Sequence, residues 1–341
     1  MNEIPRRVRV SVGTAGLLGL EGYWLDVKPT TAYLMTYTEG SCTANCAFCT
    51  QARGSPSNKA LLSRVLWPAY PTEEVLEGLS KAEASLQRVC IQTVNYPRFF
   101  DDALALLRKI KEVSEVPVSI DTAPLTRAQM EELKRAGLDR IGIPLDSATE
   151  ELFDQVKGEH VRGPYRWEKH FAALDAAVEA FGSGRVLSNL IVGLGEAEKE
   201  AVELMQRLMD MGVETGLFAF TPIPGTALSR RPQPTLDSYR RIQLARHIIT
   251  RGLARIQGME FDDDGRITGF GVEGETMALM LKTGECFKTS GCPGCNRPYY
   301  NERPSGPFYN YPRSLTAEEA QKEAKMLGWE HSKQNFEVST S

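Results

Sequence analysis

Six of the seven cysteines in this 341-residue chain fall into two triplets. The first, Cys42-x3-Cys46-x2-Cys49, lies in a short loop directly after a strand-like run at 31–37. Thiolates are soft ligands, and three on one short loop can hold a face of an iron–sulfur cube. The fourth iron is then left open to a small molecule. A structural zinc site needs a fourth protein ligand, and no cysteine or histidine follows Cys49 closely; the next cysteine is Cys90. The second triplet is Cys286-x5-Cys292-x2-Cys295, set around Gly291 and Gly294. It suits a second cluster. Its rival is zinc with a non-cysteine fourth ligand, and the nearest downstream histidine is His331. Cys90 stands alone in a strand-like run and reads as a buried small hydrophobe.

Composition narrows the class. A chain that is 42% hydrophobic and 25% charged is globular, with apolar mass for a large core. A net charge of −4 gives no electrostatic footprint for nucleic acid. Arg6, Arg7 and Arg9 near the start precede an apolar run broken by glycines and Glu21, which is not a signal peptide. No stretch is apolar for long enough to span a membrane. Clustered cysteines without a secretion signal point to a reducing cytoplasm and to oxygen sensitivity rather than to disulfides.

The cysteines are positioned by a strand–helix rhythm. Residues 1–29 form a mixed lead-in with one alternating run, Val8-Arg-Val10-Ser-Val12. From 30 to 253, strands expected at 31–37, 88–94, 117–121, 139–145, 185–192 and 214–220 alternate with helices. Capping boxes open the helices at Thr126-x-x-Gln129 and Ser147-x-x-Glu150. Six consecutive βα units give parallel strands with right-handed crossovers, in an α/β fold that is either an open doubly wound sheet or a curved partial barrel. Beyond 253 the rhythm stops. Residues 254–341 read as a hairpin with an Asp264-Gly265 turn, a short helix, the second cysteine segment, a Pro/Tyr-rich loop, a helix capped by Thr316-x-x-Glu319, and a polar tail expected to fray.

Cys42-x3-Cys46-x-Phe48-Cys49 after a first strand is similar to the signature of the radical S-adenosylmethionine (SAM) superfamily, and the resemblance extends over residues 30–253. It implies a partial (β/α)6 TIM barrel with a C-terminal cysteine-rich extension. It also implies that the open iron chelates SAM, that an electron from the cluster makes a 5′-deoxyadenosyl radical, and that Phe48 lies against adenine. Asn189-Leu-Ile191-Val-Gly193-Leu-Gly195-Glu196 resembles the family's adenine-contacting strand end, with Asn189 where the family has glycine. Gln92 and Thr93 stand where a polar segment holds the SAM amino group, although no Gly-Gly-Glu is present. Asp121 ends the third strand. Leu145-Asp146-Ser147 resembles an element of biotin synthases whose aspartate binds the SAM ribose; the plain alternative is a helix cap. Pro222-Ile-Pro-Gly-Thr226 is expected to stiffen the pocket rim.

The second triplet separates this chain from biotin synthases, whose sacrificial cluster sits on barrel strands. Cys90 matches one such position, but Ser119 and Leu187 occupy others, so that cluster is not expected. The pattern looks most like one subunit of the two-subunit type of lipoyl synthase. That implies two [4Fe-4S] clusters and SAM, with the second cluster donating sulfur. Ser290 or Ser305 is then a candidate labile fourth ligand. The implied partners are an octanoylated lipoyl-carrier protein or domain, a homologous radical SAM subunit and an electron donor. The alternatives are a radical SAM enzyme of biotin-synthase type, one whose second cluster relays electrons, and a non-enzymatic iron–sulfur scaffold.

Overall fold

The computed structural model describes residues 4–22 and 25–328, so the expected frayed tail, with His331, lies outside the described residues. In chain order, β1 (Arg7–Val10) and α1 (Val12–Leu17) precede β2 (Thr31–Thr36). A small hairpin, β3 (Leu61–Leu62) with β4 (Val65–Leu66), leads to β5 (Ala69–Pro71) and α2 (Thr72–Ala82). The repeats continue through β6 (Arg88–Gln92), α3 (Phe99–Val113), β7 (Val118–Asp121), α4 (Arg127–Arg135) and β8 (Arg140–Gly142). They finish with α5 (Glu150–Val156), α6 (Trp167–Phe181), β9 (Val186–Val192), α7 (Glu198–Asp210), β10 (Val213–Ala219) and α8 (Leu236–Thr250). The extension contributes β11 (Glu260–Phe261), β12 (Ile267–Gly269), α9 (Gly274–Thr283) and α10 (Ala317–Met326).

Eight strands make one sheet in the order β10-β9-β8-β7-β6-β2-β1-β5. The six from β2 to β10 are parallel, and β10 and β5 are the edges, so the barrel stays open. Period-two alternation divides each strand between two environments. Leu34, Ile91, Ile120, Leu190 and Val192 belong to the core shared with the helices. Tyr33, Cys90, Gln92, Asp121, Leu187, Asn189 and Ile191 face a cavity on the other side.

Several expectations shift, each for a local reason. The lead-in is part of the sheet: β1 lies antiparallel between β2 and β5, with Val8 opposite both Thr36 and Tyr70. The strand expected at 88–94 stops at Gln92, because the Val94 N–H leaves the ladder for Thr36 Oγ1 at 2.9 Å. The strand expected at 139–145 is only Arg140–Gly142, with Pro144, which has no N–H to give, two residues beyond. Thr126 and Thr316 form the capping boxes read from sequence, but α5 starts from Thr149, whose Oγ1 accepts from Leu152 N at 3.2 Å. Ser147 cannot cap, because its hydroxyl is drawn into the interior, where it has no partner. Among the described residues no helix is long and apolar enough to cross a membrane.

The extension is fastened to the barrel by a buried charge. Arg240 of α8 is fully buried; its Nε donates to Glu323 Oε2 of α10 at 2.7 Å, and its Nη1 donates to Tyr309 O and Gln243 Oε1, both at 2.6 Å. Tyr311 Oη donates to the other Glu323 oxygen at 2.7 Å. Removing one partner of such a pair strands the other charge out of water. Glu323→Ala should therefore cost about 3–5 kcal/mol, measured by urea denaturation of the apo-protein followed by circular dichroism. A loss below about 1 kcal/mol, the value of an exposed pair, would show that the clamp is not what holds α10.

Candidate functional site

The first cysteine loop leaves the C-terminal end of β2 and is pinned by backbone hydrogen bonds from three directions. Thr43 N donates to Asn95 O beyond β6 (2.7 Å), Ala47 N to Val156 O at the end of α5 (2.7 Å), and Leu228 N to Ala47 O (3.2 Å). The Lys59 ammonium donates to Thr50 O, Ala52 O and Ser55 O at 3.0, 2.7 and 2.9 Å, folding the following chain beneath the loop. The 222–226 segment packs here as well, through Ser57 Oγ to Pro224 O (2.7 Å) and Ser55 Oγ to Gly225 O (3.0 Å).

The three thiols share one electrostatic environment. Burial, then repulsion from Cys49, Asp146 and Cys42, pushes Cys46 well above the usual thiol range against the pull of Lys157. Burial, with Cys42 and Asp146 adding to it, pushes Cys49 up to about 11. Thiols crowded on one half-buried loop are stabilised as thiolates by positive charge among them, and three such donors fit an iron–sulfur cluster. Among the described residues no three Cys, His, Asp or Glu side chains are gathered as a single metal ion requires.

Beside this loop, β8 and β9 bring distant residues together. Asp146 has φ +66°, unusual for a residue with a side chain. It is held there by a short parallel bridge to β9: its N donates to Asn189 O at 2.8 Å, and Ile191 N donates to its carbonyl at 2.9 Å. Its carboxylate pairs with Lys157 Nζ at 2.7 Å, and both side chains are buried. Lys157 also lies near the rings of Tyr165 and Phe153, at 5.2 and 5.8 Å. Asp146 is thus a buried ion-pair partner and not the helix cap. Gly193 has φ +103°, and a Cβ there would meet Pro234 Cδ at 2.7 Å. The Glu196 carboxylate accepts from the N–H groups of Gly193, Leu194 and Gly195 at 2.5, 3.0 and 3.1 Å, so this turn is rigid from within.

Phe48, Cys49, Gln92, Asp121, Asp146, Asn189 and Ile191 line one cavity; Cys42, Cys46, Thr93 and Gly193 stand outside its lining. Gln92 Nε2 donates to Asp121 Oδ2 at 2.8 Å. Burial raises the Asp121 carboxyl, while hydrogen bonds from Gln92 and Asn189 oppose that rise.

The second cysteine loop enters the same cavity from the opposite end of the barrel. Thr30 N, just before β2, donates to Asn296 Oδ1 at 3.0 Å, and the Thr30 hydroxyl donates to Gly294 O. Cys292, Cys295 and Arg297 line the cavity together with Cys90. On its other side the loop borders a second cavity, which Gly291, Cys292 and Cys295 also line. Tyr33, opposite Cys90 in the β2–β6 register, places its hydroxyl 3.4 Å from Cys295 Sγ.

One expectation holds and another changes here. Cys90 is a buried small hydrophobe, in an apolar cluster with Tyr33, Met35, Trp67 and Val94, and it also lines the cavity that holds Cys292 and Cys295. Cys286 lines neither cavity; it sits in the main core and is pushed up to about 12 by burial, with Arg240 opposing. Of the candidate serines, Ser290 lines the second cavity beside Cys292 and Cys295 while its Oγ accepts from Leu217 N at 2.7 Å, and Ser305 is exposed. Lys157, Lys59 and Arg297 were not found from sequence, because lone cations outside a motif carry no signal. Arg297, two residues after Cys295, had the most legible position.

Gly142 shows how tightly the polar wall is built. It pairs with Asp121 across β7 and β8, and a Cβ there would lie 1.8 Å from Asp121 Oδ1. Gly142→Ala should cost about 1–3 kcal/mol of stability as overpacking, and most should return in Gly142→Ala/Asp121→Ala, read by thermal denaturation. A single variant that melts like the parent would mean that Asp121 is free to move.

The chain matches the family model described as the radical SAM superfamily over residues 38–208. It is 27% identical over 258 residues to a biotin synthase of Desulforudis audaxviator, covering 74% of each chain. It is 25% identical over 280 residues to a biotin synthase of Picosynechococcus, covering 76% of this chain and 70% of that one. Among solved structures it is similar to methylornithine synthase, with a TM-score of 0.51 at 14% identity over 70% of this chain and 68% of the other. It is also similar to a maturase of the [FeFe]-hydrogenase, with a TM-score of 0.52 at 15% identity, covering 70% and 54%. At these identities the structural likeness concerns the fold, and it agrees with the partial barrel read from the strand–helix rhythm.

Proposed function

Because the chain belongs to the radical SAM superfamily, we propose that it inserts sulfur into an unactivated C–H bond of a protein-bound octanoyl chain, as one subunit of a two-subunit lipoyl synthase. The observation that carries this reading is the single cavity, with Phe48 and Cys49 in its lining from one end of the barrel and Cys292 and Cys295 from the other. Its walls between them include Leu62, Trp67, Leu187, Phe218 and Phe220, which suit an alkyl chain and exclude water. An alkyl C–H has no acidity for a side-chain base to use, so the hard chemistry belongs to cofactors and the protein supplies position. When bound, a cluster on Cys42, Cys46 and Cys49 with SAM would supply a hydrogen-abstracting radical, and a second cluster would supply sulfide.

The chain's own residues bind and orient. Phe48 offers a face for adenine, and Asp146 offers carboxylate oxygens for ribose hydroxyls. Lys157 holds Asp146 in place, and Glu196 fixes the turn of Gly193 against a flat ring. Gln92 and Asp121 already satisfy each other, which leaves the apolar walls to select the substrate. An octanoylated carrier domain, a homologous subunit and an electron donor are the partners this reading requires, in a reducing cytoplasm.

The test is incubation of the reconstituted protein with SAM, a reductant and an octanoylated lipoyl domain, with and without a homologous partner subunit. Peptide mass spectrometry should show octanoyl carrying one sulfur. The likeness to biotin synthases favours a second reading, and sulfur found in dethiobiotin instead would establish it.

Asp146→Ala should weaken SAM binding by about 10–150-fold, the equivalent of roughly 1.5–3 kcal/mol for hydrogen bonds to a charged acceptor. Iron content should be unchanged. Adding Lys157→Met should restore thermal stability, by removing the stranded ammonium, without restoring SAM affinity. Unaltered affinity in calorimetry would leave Asp146 with the ion pair as its whole role.

A further inference from the structure

We infer that the second iron–sulfur cluster is held by Cys90, Cys292 and Cys295, inside the barrel, and that Cys286 is not a ligand. This rests on the second-cluster part of the reading above and not on its substrate. Cys286, Cys292 and Cys295 are neighbours in sequence, but the fold separates them. Cys286 lies on a turn (Glu285–Phe287) beneath α8, in the main core and outside both cavities that Cys292 and Cys295 line, with Arg240, Glu285 and Glu323 as its charged neighbours. Cys90, nearly 200 residues upstream, shares the cavity with Cys292 and Cys295, and both act electrostatically on it.

The surroundings are those of a built site. Arg297 places a half-buried guanidinium beside the thiols, stacked 3.9 Å from the centre of the Phe218 ring, with Nη2 donating to Ser290 O at 2.6 Å. Gly291, at φ +137°, presents a bare Cα: a Cβ there would meet Arg297 Nη1 at 3.3 Å and Cys295 Sγ at 3.9 Å, filling the cradle. Gly294, at φ +79°, lets the loop press on Gln87, whose Oε1 would be 2.3 Å from any Cβ. Donors already reach the sulfurs: Gln92 Nε2 is 3.3 Å from Cys90 Sγ, and Tyr33 Oη is 3.4 Å from Cys295 Sγ. Three thiolates, flanking N–H and O–H donors and one fixed cation suit a polynuclear, negatively charged iron–sulfur group.

The test begins with the full chain carrying Cys42→Ala, Cys46→Ala and Cys49→Ala, reconstituted anaerobically. Iron, sulfide and zinc are then counted, and the reduced cluster is observed by electron paramagnetic resonance. This background should keep about four irons and four sulfides. Adding Cys286→Ala should leave both counts and the spectrum unchanged. Adding Cys90→Ala, Cys292→Ala or Cys295→Ala should bring iron below about one per chain, with circular dichroism verifying the fold. Cys90→Ser, which keeps a ligand atom, should retain iron but shift the spectrum, which separates ligation from packing. The inference is overturned if Cys286→Ala empties the site, if Cys90→Ala keeps four irons, or if the background holds zinc or no iron. Intact counts with no thiolated octanoyl would sink the substrate reading alone.

Discussion

A guanidinium inside a barrel must find its partners there, and Arg297 ties three separate segments, two through its side chain and one through its backbone. Its side chain donates to Leu217 O of β10 and to Ser290 O of the extension, while its backbone N donates to the Tyr33 hydroxyl of β2 at 2.8 Å. A charge withdrawn from water, even in part, is costly without such partners. The chain from Ser290 to Arg297 is therefore fixed in the barrel's N-terminal end, bridging strands at opposite sides of the parallel run. The position of Cys292 and Cys295 follows from that, since both lie within this span.

The opposite end is organised by a buried charge. Lys157, paired with Asp146 and donating to Pro144 O, joins the β8 exit to the end of α5. Through Ala47 N to Val156 O, the same helix end supports the first cysteine loop. One ion pair thus relates the strained Asp146 backbone to the position of three thiols. Strain of this kind persists only where the surrounding structure over-determines it, and the bridge to Asn189 and Ile191 supplies the second restraint.

Between the two charged ends the cavity is largely apolar, and its polar wall is internally paired through Gln92 and Asp121. That division suits chemistry in which reactive species are generated and consumed away from water, with few side chains able to intercept them. Arg240 and Glu323 have a supporting part: they hold the extension against α8 so that its cysteine loop stays inserted.

The sequence by itself determined the family-bearing loop, the strand–helix rhythm and two of the capping boxes, because each depends on spacing within a few residues. Cys42, Cys46 and Cys49 lie together as neighbours in one loop, and Thr126 and Thr316 cap as their local patterns require. The β8 exit misled, since Ser147 satisfied the capping pattern while a non-local bridge between Asp146 and Leu190 delayed the helix to Thr149. The lead-in strand also needed its distant partners, Thr36 and Tyr70, before it joined the sheet. Only the tertiary structure decided which cysteines share a space. Proximity along the chain grouped Cys286 with Cys292 and Cys295, whereas strand alternation and the insertion of the extension set Cys90 beside them and left Cys286 in the core. Which face of a strand turns inward, and what fills a barrel from below, are set by contacts between residues far apart in the chain, and no local pattern encodes them.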